Sequence, residues 1–328
     1  MKRWARVGGW GVVVGAWLVA VACVGEPPRE LSARGEAADG AGETGATEAE
    51  RDAAPAPSGQ WCDPSAPFSV VEDVRELNSD LTVGNLAARL TPDSLQVFFS
   101  RGLTSEDYRI FRARRASRDL PFEPPTEVEG LDHSAGAVDS YPFLLSDGAA
   151  MYFHRARSPG GDRDIFVATA TGAGFTAATP VSGASSASVN ERSPYVARDG
   201  TVWFVIHTNE VGASKRIVSA SRARADSFEP SAEVDLHTPD GGSDDAPVIS
   251  SDGLTLYFSS TRGATNNTSD IWVARRAAES APWKTPEPMT SLNTASVDAP
   301  SWLSPDGCEL YFDRFVTAGY RIFRARRR

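Results

Sequence analysis

Five positions carry side chains suited to ligand binding or acid–base chemistry at one spacing. Asn85, Asp139, Glu191, Asp244 and Asp298 each stand eight residues ahead of a second aspartate: Asp93, Asp147, Asp199, Asp252 and Asp306. Four of the first five are acidic. Unpaired carboxylates gathered in one place raise one another's pKa and call for neutralisation. A Ca2+ ion held by carboxylate and carbonyl oxygens would supply it, as would a cationic peptide segment or an ammonium ligand. Two of these carboxylates could also serve as the acid and the nucleophile or base of a glycoside hydrolase. The alternative is structural: each side chain caps backbone N–H groups of its own repeat, or pairs with Arg101, Arg155, Arg262 or Arg314. Other chemistries lack their residues. His133, His154, His207 and His237 show no metal-ligand spacing, and no Cys-x-x-Cys, Gly-x-Ser-x-Gly elbow, Cys–His couple or phosphate loop occurs.

The elements that must position these residues are written five times. "TPDSLQVFFSR", "LSDGAAMYFHR", "ARDGTVWFVIH", "SSDGLTLYFSS" and "SPDGCELYFDR" each read as a polar turn followed by a β-rich run, with the aspartate as turn former. The turn aspartates are 54, 52, 53 and 54 residues apart. A half-buried strand follows each hairpin ("YRIFRA", "RDIFVA", "KRIVSA", "SDIWVA", "YRIFRA"). A short segment opened by Phe122, Phe175, Phe228 or Trp283 then carries prolines that confine it to an edge. Four antiparallel strands per repeat are one propeller blade. The last repeat lacks its fourth strand, and "PFSVVEDVRELN" at 67–78 aligns with "PWKTPEPMTSLN" at 282–293, an offset of 215. The sequence therefore predicts an all-β, five-bladed propeller over 61–328, closed by the N-terminal strand 67–78. Asn85, Asp139, Glu191, Asp244 and Asp298 would begin the innermost strands and ring one mouth of the central channel.

The "SPDG…LYF…DIWVA" pattern resembles the TolB-type, WD40-like propeller repeat of bacterial envelope proteins, over about residues 64–328. The resemblance implies the fold and leaves function open. TolB itself, by the same resemblance, has a separate N-terminal domain and six blades, where this chain counts five.

Lys2, Arg3 and Arg6 precede an uncharged run from Val7 to Val21, shorter than a membrane span, that ends in "AVAC". This resembles a bacterial lipoprotein signal over 1–22 with Cys23 as the acylated residue, although Ala20 stands where leucine is usual. Residues 23–60, rich in Ala, Gly, Glu and Pro, cannot bury enough surface to order themselves and read as a tether. Cys62 and Cys308 fall on the same blade and the same side, which predicts a disulfide across the closure. The net charge of −10 argues against nucleic-acid binding. The expectation is a monomeric, non-catalytic envelope lipoprotein without a required cofactor, facing the periplasm from the outer membrane. It would recognise a protein, peptide or glycan at an acidic mouth. A glycosidase-like enzyme and a purely structural component are the alternatives.

Overall fold

The computed structural model describes residues 62–328, apart from 104–106, 132–136, 157–160, 173, 209–213, 240–241, 264–267 and 318. The expected signal, Cys23 and the tether lie outside the described residues. The rest is all-β: five four-stranded antiparallel sheets, one per repeat, beside a small two-stranded hairpin (Arg222–Arg224 with Ser227–Phe228) on the third.

The first blade runs Gly84–Leu90, Gln96–Gly102, Arg109–Arg114 and Thr126–Glu127. The second runs Val138–Leu144, Ala150–Ala156, Arg163–Thr169 and Thr179–Pro180. Val189–Val196, Val202–Thr208, Arg216–Ala220 and Ala232–Glu233 form the third. Asp244–Ile249, Thr255–Ser260, Asp270–Arg275 and Glu287–Pro288 form the fourth. The fifth takes Asp298–Leu303, Glu309–Val316 and Gly319–Arg326 from the end of the chain and Val70–Asp73 from its described beginning. Val70 lies opposite Arg326 and Asp73 opposite Phe323, so the ring closes as expected, by a shorter strand than 67–78.

The rest of that segment turns to place Leu77 and Asn78. The Asn78 side chain donates to Ile322 O (2.8 Å) and accepts from Ile322 N (3.1 Å). Asn293 grips Ile271 in the same way, at 3.0 and 2.8 Å. The 215-residue offset is therefore a structural equivalence as well as an alignment. Cys62 and Cys308 form the disulfide, with Cα atoms 5.9 Å apart and a sequence separation of 246.

Each turn aspartate accepts the N–H two residues on: Leu95, Ala149, Thr201, Leu254 and Cys308, at 2.8–3.1 Å. These are Asx turns, and the turn-former reading holds. The next residue is left-handed throughout. It is glycine in four blades, at positions 148, 200, 253 and 307, and Ser94 (φ 62°) in the first. Ser94 is fully buried and its hydroxyl has no hydrogen-bond partner. Ser94→Gly should therefore stabilise the protein by about 1 kcal/mol in urea unfolding, because relief of left-handed strain outweighs the added unfolded-state entropy. An unchanged or lower midpoint would contradict this.

Packing between blades explains the paired aromatics of the second strands. The first of each pair meets the aromatic that opens the next blade's edge segment. Tyr257 lies against Phe68 (6.3 Å between centroids), Phe98 against Phe175 (6.4 Å), Tyr152 against Phe228 (5.6 Å) and Trp203 against Trp283 (6.0 Å). Tyr311 and Phe122 share a cluster across the remaining seam. Edge-to-face and tilted pairs of this kind add to the burial of large apolar faces.

Candidate functional site

The five residues singled out by the repeat lie at the start of the inner strands, where the sequence put them, but they are buried and engaged. Arg155 holds Asp139 in a bidentate pair (2.6 and 2.8 Å) and also donates to Leu131 O (2.8 Å). Arg262 grips both oxygens of Asp244 (2.9 and 2.7 Å) and donates to Leu236 O (2.9 Å). Arg314 bonds Asp298 (2.6 Å) and Leu292 O (2.5 Å). Arg101 bonds Asn85 (2.7 Å) and Leu77 O (2.9 Å). Each guanidinium also lies 5.0–5.4 Å from two ring centroids of its own blade, Phe153 and Phe166 in the case of Arg155. The device ties the inner strand, the second strand and the entering linker of a blade together. It is the structural alternative of the sequence reading, realised in four blades. Arg262 reaches its place from two residues farther along than the other three arginines.

The third blade lacks the lock. Glu191 faces Ile206 in the register where the first, second and fifth blades carry arginine. Burial pushes its carboxyl up to about 7, opposed by a hydrogen bond from Ser186 N and reinforced by nearby Asp164 and Asp162.

A second repeated device crosses the seams. Two residues after the ring position, the inner strands of the first four blades bulge; in the fifth the bulge comes one residue later, after Pro300. The residue there is left-handed in four blades: Ala87, Tyr141, Ser193 and Ala246 (φ 52–57°). Its N–H is accepted by the residue after the second-strand phenylalanine of the preceding blade in three cases. Ser100 Oγ takes Tyr141 N (3.0 Å), His154 Nδ1 takes Ser193 N (3.2 Å) and Asp313 Oδ2 takes Ala87 N (2.7 Å). Burial keeps His154 neutral, as this requires. The fourth blade faces Val205 instead, and Asp245 accepts Ala246 N itself (2.8 Å). The fifth has Pro300, which needs no acceptor.

Beside these bulges lies a cavity of about 200 Å³ at the channel mouth, lined by residues that depart from the repeat. Arg192 and Asp245 stand where other blades carry Leu86, Ser140 and Ala299. Asp245 takes hydrogen bonds from Lys215 Nζ (2.8 Å) and Ser193 Oγ (3.0 Å), with Arg192 3.5 Å away. Burial alone would raise its pKa, but Arg192 and Lys215 outweigh burial and hold it ionised, well below the usual range. Asp313 is pushed up to about 7 by burial, against Ala87 N–H and Arg89. Tyr141 and Tyr320 complete the polar wall, both kept neutral by burial.

Asn85, Asp139, Glu191, Asp244 and Asp298 do not line this cavity. The five residues lie inside their blades, outside the lining of this cavity. Most of their carboxylates are consumed by arginines, and the described lining carries Arg192 and Lys215 against Asp245 and Asp313. Among the described residues no group of His, Cys, Asp and Glu could hold a metal ion. Sequence reasoning missed the mouth residues because no motif marks them. The signal that finds them is a departure from the repeat at inner-strand and second-strand positions.

The pKa of Asp313 makes a prediction. Its folded value lies above its unfolded value near 3.8, so the native state binds more protons between them. Its contribution is thus full below about pH 4 and is lost as pH rises through 7. Around it stand Arg89, Tyr108, Tyr141 and Tyr320. Asp313→Asn keeps an acceptor for Ala87 N and removes the ionisation. It should raise stability at pH 8 by a few kcal/mol, since each tenfold difference in proton affinity between folded and unfolded chain is worth about 1.4 kcal/mol. At pH 3, below the unfolded value, it should have little effect. Urea unfolding at the two pH values checks it; an equal effect at both would contradict it.

Two other hollows are present. One of about 370 Å³ lies at the opposite, turn-side ends of the inner strands, against Leu90, Leu144, Val196, Ile249 and Leu303. A cleft of about 580 Å³ lies between the third and fourth blades against Trp203 and Trp283.

No family model and no curated protein matches the chain. Solved structures do. The GH43_1 enzyme from Xanthomonas citri, complexed with xylotriose, is 16% identical over 79% of this chain and 90% of that one, with a TM-score of 0.53. Two TolB structures also match. One is a putative TolB from Agrobacterium tumefaciens (19% identity, 70% of each chain, TM-score 0.45). The other is TolB from Acinetobacter baumannii (14%, 74% of this chain and 54% of that one, TM-score 0.41). At these identities the likeness is one of fold.

Proposed function

We propose that the protein is a non-catalytic binding module of the bacterial cell envelope that recognises its ligand at the polar channel mouth. The observation that carries this is the departure from symmetry. Three of the four carboxylates that obey the repeat are locked to arginines inside their blades. The charged residues that break the repeat, Arg192, Asp245 and Asp313, converge with Lys215 on one cavity. A preformed cavity with a few convergent polar groups is what a binding site requires. The export signal and Cys23 support placement in the envelope through a lipid anchor.

The repeat supplies a clean test. Ala299 lines the cavity at the inner-strand position where the first blade has Leu86. Ala299→Leu should thus be tolerated by the backbone while narrowing the mouth. Immobilised wild-type protein should retain a component of envelope extract that Ala299→Leu, equally stable to heat, does not. Equal retention by both would overturn the reading.

A further inference from the structure

We propose that the channel mouth binds a hexuronate unit, a pyranose ring bearing one carboxylate. This deepens the preceding reading and rests on it. The cavity, about 200 Å³, has room for one sugar ring and not for a longer chain. Its described charges do not balance. Ionised Asp245 is already served by Lys215 Nζ and Ser193 Oγ. Arg192 stands 3.5 Å off, and its Nε has no hydrogen-bond partner. With 18% of its side chain exposed, the guanidinium keeps donor capacity for a carboxylate at the cavity beyond its contact with Asp245.

The remaining wall suits hydroxyls. Ser243, Ser259, Thr261 and Ser269 line it, with the phenols of Tyr141 and Tyr320. Asp313 is 1% exposed, and its Oδ1 has no partner. A buried, unpartnered oxygen of this kind costs free energy unless a ligand hydroxyl meets it. Leu86, Val297 and Ala299 offer an apolar side for the C–H face of a ring. Tyr141 is held in place by stacking on His154 (5.2 Å), so the wall is preformed. A neutral sugar would leave the two cations Arg192 and Lys215 sharing the single charge of Asp245, and a cationic ligand would meet repulsion. Both features select for the acid.

Calorimetric titration of the purified full-length protein tests this, with D-glucuronate and D-galacturonate against D-glucose and acetate. The expected result is saturable binding of a uronate, with D-glucose about tenfold weaker or more, and no binding of acetate at the same concentration. Arg192→Gln should lose the preference for the acid. Because that change touches the Asp245 cluster, Ala299→Leu serves as a second variant and should lose uronate binding outright. Glucose binding as tightly as the uronates, or no saturable uronate binding, would overturn the proposal. If no sugar binds and Ala299→Leu still abolishes retention from envelope extract, the uronate assignment fails and the mouth stands as a binding site. If retention is also indifferent to Ala299→Leu, the binding reading falls too.

Discussion

Asp139→Ala should lower the unfolding free energy by about 3–5 kcal/mol, the cost of leaving a buried arginine without its partner. Arg155 and Asp139 have side-chain exposures of 7% and 0%, so water cannot substitute for the lost carboxylate. Among the described residues the guanidinium would keep Leu131 O and the faces of Phe153 and Phe166. The effect separates two roles that the sequence alone left open. A ligand-binding carboxylate kept at a cost to the fold would be removed with little loss or some gain in stability. A locking carboxylate cannot be. Replacing both partners with apolar residues, as in Asp139→Leu with Arg155→Met, should recover much of the loss, since removing both charges spares the penalty of one left alone. Urea unfolding of the two variants against wild type measures this. A single-variant loss under about 1 kcal/mol, the value of an exposed pair, would show that Asp139 is not a lock.

Removing the Cys62–Cys308 bridge should cost about 2–5 kcal/mol. The bridge closes a loop spanning nearly the whole propeller, with 246 residues between its ends. In the chain-entropy account, long loops give the larger values. Here the bridge also acts locally. It pins the chain just ahead of Val70–Asp73, the strand that pairs with Phe323–Arg326 and so joins the two ends of the ring. The other anchors of that segment are the Asn78 clasp on Ile322, ion pairs from Glu72 to Arg324 and Arg326 and from Asp73 to Arg321, and the packing of Phe68 on Tyr257. Cys62→Ser with Cys308→Ser should therefore lower the melting temperature and selectively speed hydrogen exchange at residues 70–73 and 320–326. A melting temperature unchanged by the double substitution would contradict the closure role.

What the sequence shows and what it hides divide along the symmetry of the ring. Blade number, turn aspartates, inter-blade aromatics and closure by the N-terminal strand were readable because each recurs. The Leu-Asn pair at 77–78 and 292–293 marked the equivalence of the two segments, and the clasp that each asparagine makes is seen only in the structure. The arginine locks were readable only as an alternative, because sequence spacing does not show whether two side chains meet. Arg262 was among the candidate partners although it stands two residues farther along than the other three, and Ile206 removes the lock of the third blade. The mouth was readable only as departures from the repeat. Arg192 and Asp245 share the position after the ring residue, while Lys215 and Asp313 reach the cavity from other strands, so no motif joins the four. A repeat identifies what a blade needs; what a ligand needs lies in the departures from it.

The most direct test of the central claim is a crystallographic difference map from crystals of the protein grown with D-glucuronate. Ligand density is expected at the channel mouth, with the carboxylate on Arg192 and ring hydroxyls near Asp313, and none displacing the arginines from Asp139, Asp244 or Asp298. Density seated instead in the cleft at Trp203 and Trp283, or a ligand carried by the lock carboxylates, would contradict it.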